Sequence, residues 1–182
     1  MRITLIIFLF LLSCTSDVTT PNTPTEKIFF DLPSFFQSEI ELMQKEVLAL
    51  DKTSIVNGQK ETKRLEDIDL TEELSIFVNA DINKATWQDQ YQVDSLMLED
   101  KSLKAIHYTA LNDNLKTKKM RIAYDRGEVQ EIEIWKGIDN MAIQSTQILK
   151  YFPQKGYFIT NEQAIVLADA QKVEIQVDFV RK

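Results

Sequence analysis

Few residues of this chain have the side chains that catalysis usually requires. The sequence contains one histidine, His107, one cysteine, Cys14, and four glycines. Zinc sites usually take several histidine or cysteine ligands, and phosphate-binding loops are rich in glycine. A Ser-His-Asp triad needs only one histidine, but the chain has no Gly-x-Ser-x-Gly turn to expose a serine nucleophile. The sequence therefore predicts no catalytic residue, no metal and no cofactor.

Two groups of carboxylates are the other candidates for acid–base chemistry. Glycoside hydrolysis needs two carboxylates placed across a pocket. In the first group, over 128–133, Glu131 and Glu133 alternate with isoleucines, which is typical of the solvated face of a strand. The second group, over 67–73, lies where a helix is expected to begin, and negative charge there favours the helix dipole. We interpret both groups as solvated rather than catalytic.

The position of the cysteine, at the end of an apolar run near the amino terminus, indicates a role other than catalysis. Met1-Arg2 gives a basic start, an apolar run extends from Ile3 to Leu12, and Ser13 and Cys14 follow. About ten residues rise only about 15 Å as a helix, whereas the hydrocarbon core of a bilayer is about 30 Å thick. The run is therefore too short to span, and with its basic start it predicts a secretory signal peptide.

The end of this run, Leu11-Leu12-Ser13-Cys14, resembles the lipobox of bacterial lipoproteins. The resemblance implies that the signal peptide, residues 1–13, is cleaved between Ser13 and Cys14. It also implies a diacylglyceryl thioether on Cys14 and acylation of the new amino terminus. Two or more acyl chains hold a protein stably on a membrane. An ordinary cleaved signal with a chance cysteine and an uncleaved anchor are the alternatives.

Charge excludes one class of partner. Removal of residues 1–13 removes the positive charge of Arg2, so the formal net charge changes from −7 to −8. Nucleic-acid binding depends on neutralising phosphates with cations, so we expect no nucleic-acid partner. The same acidity argues against a basic face lying on the membrane.

The segment after the cysteine is predicted to be a tether. Residues 15–27 contain five threonines, two prolines and one aliphatic residue, Val18. Such a composition cannot form a core, so residues 14–27 are expected to be a lipidated cysteine and a disordered tether. Residues 28–182 are long enough for one core and are expected to form a single domain, with 28–30 as a short strand or a strap.

Apolar periodicity predicts two helices early in this domain. A helix over 34–50 follows from apolar residues at intervals of three and four, and either Asp31 or Ser34 suits its cap. Those apolar residues are Phe36, Ile40, Met43, Val47 and Leu50. A second helix over 70–80 is predicted by Asp69, with a glutamate three residues later as in a capping box.

The rest of the domain predicts strands. Asn57-Gly58 is typical of a type I′ turn, and because the arm after it is almost wholly polar, we expect this hairpin to be an exposed ribbon. Strands with one buried face are expected at about 90–98, 103–110, 119–124, 131–134, 141–151, 156–160, 163–168 and 173–179. The predicted fold class is α+β, with two N-terminal helices packed on a C-terminal antiparallel meander of about six to seven strands.

With this tether, early helix and later sheet, the chain is similar to the small uncharacterised lipoproteins of Bacteroidetes-type bacteria. Such bacteria often mark surface export with acidic residues directly after the cysteine. Here Asp17 is the only acidic residue among 15–18. We therefore expect a lipid anchor in the outer membrane of the cell envelope and a domain that faces the periplasm.

Aromatic residues are the candidates for a contact surface. Trp135 follows Ile134 and is expected on the opposite face of its strand, so it is either exposed or covered by the first segment. Trp87 and Tyr91 form a second candidate pair. Exposed tryptophan is enriched at binding sites, although aromatic residues more often belong to a core.

These observations support three hypotheses of different classes. The first is a non-enzymatic binding or assembly module that contacts an envelope protein through its sheet or the sheet's edge. The second is a carrier of an apolar ligand in a half-barrel cavity, and the third, less favoured, is an envelope hydrolase.

Replacement of the anchor residue tests the lipoprotein prediction. Cys14→Ser should leave the domain folded and retained as an uncleaved or soluble form, because only the thiol that accepts the diacylglyceryl group is lost. Metabolic labelling with a radioactive fatty acid measures this. Label that persists in the variant would rule out Cys14 as the sole attachment point.

Overall fold

The computed structural model describes residues 27–139, 143–165 and 170–182. Ser13, Cys14, the predicted signal peptide 1–13 and all but the last residue of the predicted tether 14–27 lie outside the described residues. The helices that the structure describes are too short and too polar to cross a membrane.

Two α-helices and nine strands are found in this part of the chain. The helices are α1, Leu32–Glu46, and α2, Leu70–Val78, and a 3-10 turn spans Ala85–Trp87. The strands are β1, Val47–Val56; β2, Gln59–Leu65; β3, Tyr91–Met97; β4, Leu103–Ala110; β5, Thr117–Asp125; β6, Glu128–Asp139; β7, Ile143–Phe152; β8, Gly156–Ile165; and β9, Gln171–Arg181.

One antiparallel sheet contains all the described strands, in the order β2-β1-β9-β8-β7-β6-β5-β4-β3. The seven strands from β3 to β9 form a meander, which confirms the predicted α+β class. The predicted count of six to seven was wrong, because the hairpin β1–β2 is not a separate ribbon. Its first arm pairs with β9 from Val47 to Val56, although β2 is exposed as expected.

The hairpin turn and the two helix caps form at residues that the sequence predicted for them. Asn57 and Gly58 have φ of 49° and 86°, the left-handed values that a type I′ turn requires. Asp31, rather than Ser34, caps α1, since its carboxylate accepts the Ser34 N–H at 3.1 Å. Asp69 caps α2 through the amides of its first turn.

The end of α1 was predicted wrongly. The helix stops at Glu46, and the last two residues of the predicted apolar repeat, Val47 and Leu50, belong to β1. Leu50 is fully buried as a strand residue, paired with Phe179 of β9. The ladder between β1 and β9 outweighs the helical periodicity, which matched the buried positions of the strand by coincidence.

Aromatic side chains fill the space between the helices and the sheet. Phe36 of α1 stacks on Phe77 of α2 with ring centroids 5.3 Å apart. Phe36 lies edge-on to Tyr151 at 4.8 Å, and Phe77 lies edge-on to Tyr157 at 5.5 Å. Tyr151 and Tyr157 are direct cross-strand partners on β7 and β8. One cluster of rings therefore joins both helices to the middle of the sheet.

The two tyrosines also form polar contacts with the helices. Tyr151 donates its hydroxyl hydrogen bond to the buried carboxylate of Glu39 in α1 at 2.8 Å, and the Gln154 N–H donates to the same oxygen at 3.1 Å. Tyr157 donates to Glu73 of α2. A tyrosine–glutamate hydrogen bond thus attaches α1 to β7, and another attaches α2 to β8.

The residues before α1 form a strap rather than a strand. Phe29 is buried, edge-on to the rings of Tyr91 and Tyr108 at 5.8 and 5.7 Å. The Asn83 amide group accepts from the Phe29 N–H at 3.0 Å and donates to the Phe30 carbonyl at 3.0 Å. The start of the domain is therefore held near β3 and β4.

Removal of the Tyr151 hydroxyl should destabilise the domain. In Tyr151→Phe the buried Glu39 carboxylate keeps the hydrogen bond from the Gln154 N–H but loses the one from the tyrosine hydroxyl. A buried acceptor that loses its hydrogen bond costs about 1–3 kcal/mol. We expect the free energy of unfolding in urea, followed by circular dichroism, to fall by that amount. Tyr124→Phe is the matched control, since the half-buried Tyr124 forms no hydrogen bond through its hydroxyl within the described residues. Equal loss in both variants would contradict a specific role for the Glu39 contact.

Candidate binding site

The face of the sheet that points away from the helices is here called the outer face. Ile132 and Ile134 of β6 are fully buried on the helix side, so Trp135 lies on the outer face, as its position predicted. It is half-buried there, between its cross-strand partners Lys119 of β5 and Ile148 of β7. Trp135 is therefore not wholly exposed, and the strap at residues 28–30 packs near β3 and β4 rather than on it.

Trp135 lines a pocket of about 600 Å³, here called the outer pocket, which continues around the end of the sheet to Lys136, Ile138 and Ser145 of the helix side. Gly137, two residues further along β6 on the same face, adds no side chain to it. A Cβ at Gly137 would have the end of the Lys118 side chain as its nearest neighbour, at 3.4 Å. Trp135 thus forms one wall of the pocket, and the absence of a side chain at Gly137 leaves space beside it.

Cations surround the outer pocket. The cationic residues among its lining are Lys118, Lys119, Arg121 and Lys136, and Asp139 is the one carboxylate among the described residues that line it. Arg121 is paired with Glu131 at 3.0 Å, and Lys118 donates to the backbone carbonyl of Asp113. Lys119 is exposed beside Trp135. This corner of an acidic protein therefore favours an acidic partner by charge.

The other two aromatic candidates lie elsewhere. Tyr91 is buried, its hydroxyl donates to the Thr117 carbonyl at 2.8 Å, and burial raises its pKa to about 12. Trp87 packs against Tyr91 with ring centroids 6.4 Å apart, and Lys84 lies over its indole at 4.0 Å. Tyr91 is thus a core residue, and the structure does not bring Trp87 to the outer pocket.

Several of the carboxylates considered for acid–base chemistry have local partners. On the outer face, Glu131 pairs with Arg121, and Glu133 pairs with Lys150 at 2.8 Å. In the second group, Asp69 caps α2 and its neighbours lie in the first turn of that helix. Across residues 27–139, 143–165 and 170–182, no three His, Cys, Asp or Glu side chains converge as metal ligands do.

A second pocket, of about 510 Å³, lies between α2 and the sheet. Three of its lining residues bond to one another: Glu73 accepts from Lys52 at 2.8 Å and also from Tyr157. Most of its other polar lining is acidic: Asp67, Asp69 and Glu72. A polar wall of this kind is a poor match for an apolar ligand.

The two edges of the sheet differ in character. β2 is polar and carries several charges, which discourages pairing with another strand. β3 and the turn that follows it expose apolar side chains at about half of their surface. Those side chains are Val93, Leu96, Met97 and Leu98. The β3 edge is a second surface on which a partner could add a strand.

The cations of the outer pocket were missed in the sequence. Three of them, Lys118, Lys119 and Arg121, fall within four residues, in a chain of net charge −7. This local excess of cations was the available signal. What the sequence could not indicate is that Trp135 and His107 lie on strands next to the one that carries them.

Comparison of the chain with protein-family models, with curated protein sequences and with solved structures found no match. The assignment of the candidate site therefore rests on the geometry of this structure alone.

The tyrosine in the second pocket predicts a loss of stability in alkali. Burial, with the Glu73 contact, raises the pKa of Tyr157 above its usual value near 10. Above pH 10 the unfolded chain loses this proton first, so the stability present below that pH declines as pH rises, by about 1.4 kcal/mol per unit for one such tyrosine. Urea unfolding between pH 10 and 11.5 should therefore show a shallower decline for Tyr157→Phe. Parallel curves for the two proteins would contradict this assignment.

Proposed function

We propose that this chain is a lipid-anchored lipoprotein of the bacterial envelope and acts as a non-enzymatic binding or assembly module. Its anchor is the diacylglyceryl group on Cys14, and its domain faces the periplasm from the outer membrane. The partner is an envelope protein, which the outer pocket contacts through Trp135. A tether separates the domain from the membrane, so the outer face is free to meet that partner.

The observation that supports this proposal most is the contrast between the two faces of the sheet. The helix side is filled by the rings of Phe36, Phe77, Tyr151 and Tyr157. The outer face presents a tryptophan beside an arginine and a lysine, at a recess of about 600 Å³. Tryptophan and arginine are enriched among the residues that contribute most binding energy at protein interfaces.

Charge complementarity specifies the partner further. Lys118, Lys119 and Arg121 give the outer pocket a positive potential, so the complementary surface is acidic. An acidic side chain near Lys119 with an apolar group against Trp135 would use both features. The affinity should therefore fall as ionic strength rises.

The carrier hypothesis is the alternative, and the packing disfavours it. A carrier needs an apolar cavity, whereas the middle of the helix side is closed by fully buried side chains such as Phe36 and Phe77. The pocket beside α2 is lined mainly by charged and hydroxyl groups. An envelope hydrolase is the least favoured hypothesis, and the three polar groups converging in a cleft that it would need are Lys52, Glu73 and Tyr157 beside α2.

Photo-crosslinking in the native host tests the binding surface. A benzoylphenylalanine at Lys119, beside Trp135, should give a discrete product with an envelope protein. The same group at Gln37, on the exposed face of α1, should give none. If the product forms instead with benzoylphenylalanine at Val93, the partner binds at the β3 edge, which would contradict binding at the outer pocket.

A filled pocket should abolish that product. Gly137→Val places a side chain where the recess lies, and the nearest obstacle is the flexible end of Lys118, so the fold should be kept. We expect the Lys119 crosslink to fall about tenfold or more, since displacement of a central contact costs about 2 kcal/mol or more. Thr160→Val, on the outer face of β8 but outside the pocket, is the matched control and should leave the product unchanged.

A further inference from the structure

A row of polar side chains on the helix side of the sheet lies one step beyond the buried core. Lys136 of β6 is the cross-strand partner of Gln147 of β7, which in turn pairs with Asn161 of β8. The adjacent row on the same face is apolar and buried, with Ile134 next to Leu149. The polar row therefore marks the place where the helices no longer cover this face.

These side chains converge on a pocket of about 220 Å³, here called the lysine pocket. Lys116 and Ser145 complete its polar lining. The Gly137 N–H donates to the Lys116 carbonyl at 2.9 Å, which fixes Lys116 beside Lys136. Two ammonium groups, a hydroxyl and two carboxamides thus face one small space.

The two lysines have no counter-charge. Within the part of the chain that the structure describes, neither Lys116 nor Lys136 forms an ion pair, although nine such pairs are found there. Burial and the neighbouring Lys116 both lower the pKa of Lys136. A half-buried ammonium with another cation beside it is unfavourable unless an anion joins them. The arrangement therefore favours the binding of an anion between the two lysines.

We infer that the lysine pocket binds a tetrahedral oxyanion, a phosphate group, between Lys116 and Lys136. Its oxygens would accept hydrogen bonds from both ammonium groups and from the hydroxyl and amide donors of Ser145, Gln147 and Asn161. Charge-assisted bonds of this kind are the strongest that lysine makes. The volume is large enough for one such group. Lys136 and Ser145 also line the outer pocket, so the two pockets adjoin at this end of β6 and β7.

Calorimetric titration of the full chain in detergent with sodium phosphate, against sodium chloride at equal ionic strength, tests this inference. We expect saturable heat with phosphate only. Lys136→Met keeps the length of the side chain without its charge and should weaken binding about tenfold or more, the equivalent of one charge-assisted bond. Lys116→Met provides a second, independent variant with the same expected loss.

Lys60→Met is the matched control, because it removes one cation from the exposed strand β2, away from both pockets, and should change the phosphate affinity by less than about twofold. The same titration in nanodiscs distinguishes the source of the group. Weaker phosphate binding in phosphatidylglycerol than in phosphatidylcholine discs assigns the site to a lipid headgroup, and equal binding assigns it to a soluble phosphate. No saturable heat, or equal losses in the Lys136 and Lys60 variants, would overturn the inference.

Discussion

The fold depends on one cross-strand pair of tyrosines. Tyr151 and Tyr157 face each other on β7 and β8, and each donates a hydrogen bond to a glutamate of a different helix. The aromatic rings supply the apolar contact that holds α1 and α2 to the sheet, and the Tyr151 hydroxyl bonds to the carboxylate of Glu39, which would otherwise be costly to bury. Orientation of both helices is therefore decided at the centre of the sheet.

This arrangement divides the surface of the sheet by chemistry. The helix side is closed at its middle and ends in the polar row of the lysine pocket, whereas the outer face carries ion pairs and the recess at Trp135. Alternation along each strand produces the division, since neighbouring residues point to opposite faces. Ile134 and Trp135 are consecutive, yet one is core and the other lines the outer pocket.

Local signals in the sequence predicted a good part of the fold. The Asn57-Gly58 turn, the Asp69 cap and the alternation of Ile132 and Ile134 each have a local physical cause, and each was confirmed. Errors arose where distant residues decide the structure. Val47 and Leu50 continued a helical repeat, but pairing with β9, more than a hundred residues away, made them part of a strand.

The candidate site shows the same limit. The position of Trp135 on its strand predicted its face, because that depends only on alternation. The outer pocket needs β4, β5, β6 and β7 side by side, and no local pattern states that order. The lysine pocket likewise joins Lys116 to Asn161 across the sheet.

The central claim is that the helix side of the sheet is closed while the outer face is open. Paramagnetic relaxation of methyl groups by a soluble gadolinium chelate measures this directly. We expect strong relaxation for Ile148, which is partly exposed on the outer face, and weak relaxation for Ile134 and Leu149, which are fully buried on the helix side. Equally strong relaxation of Ile134 and Leu149 would show that solvent enters between the helices and the sheet, and would contradict the claim.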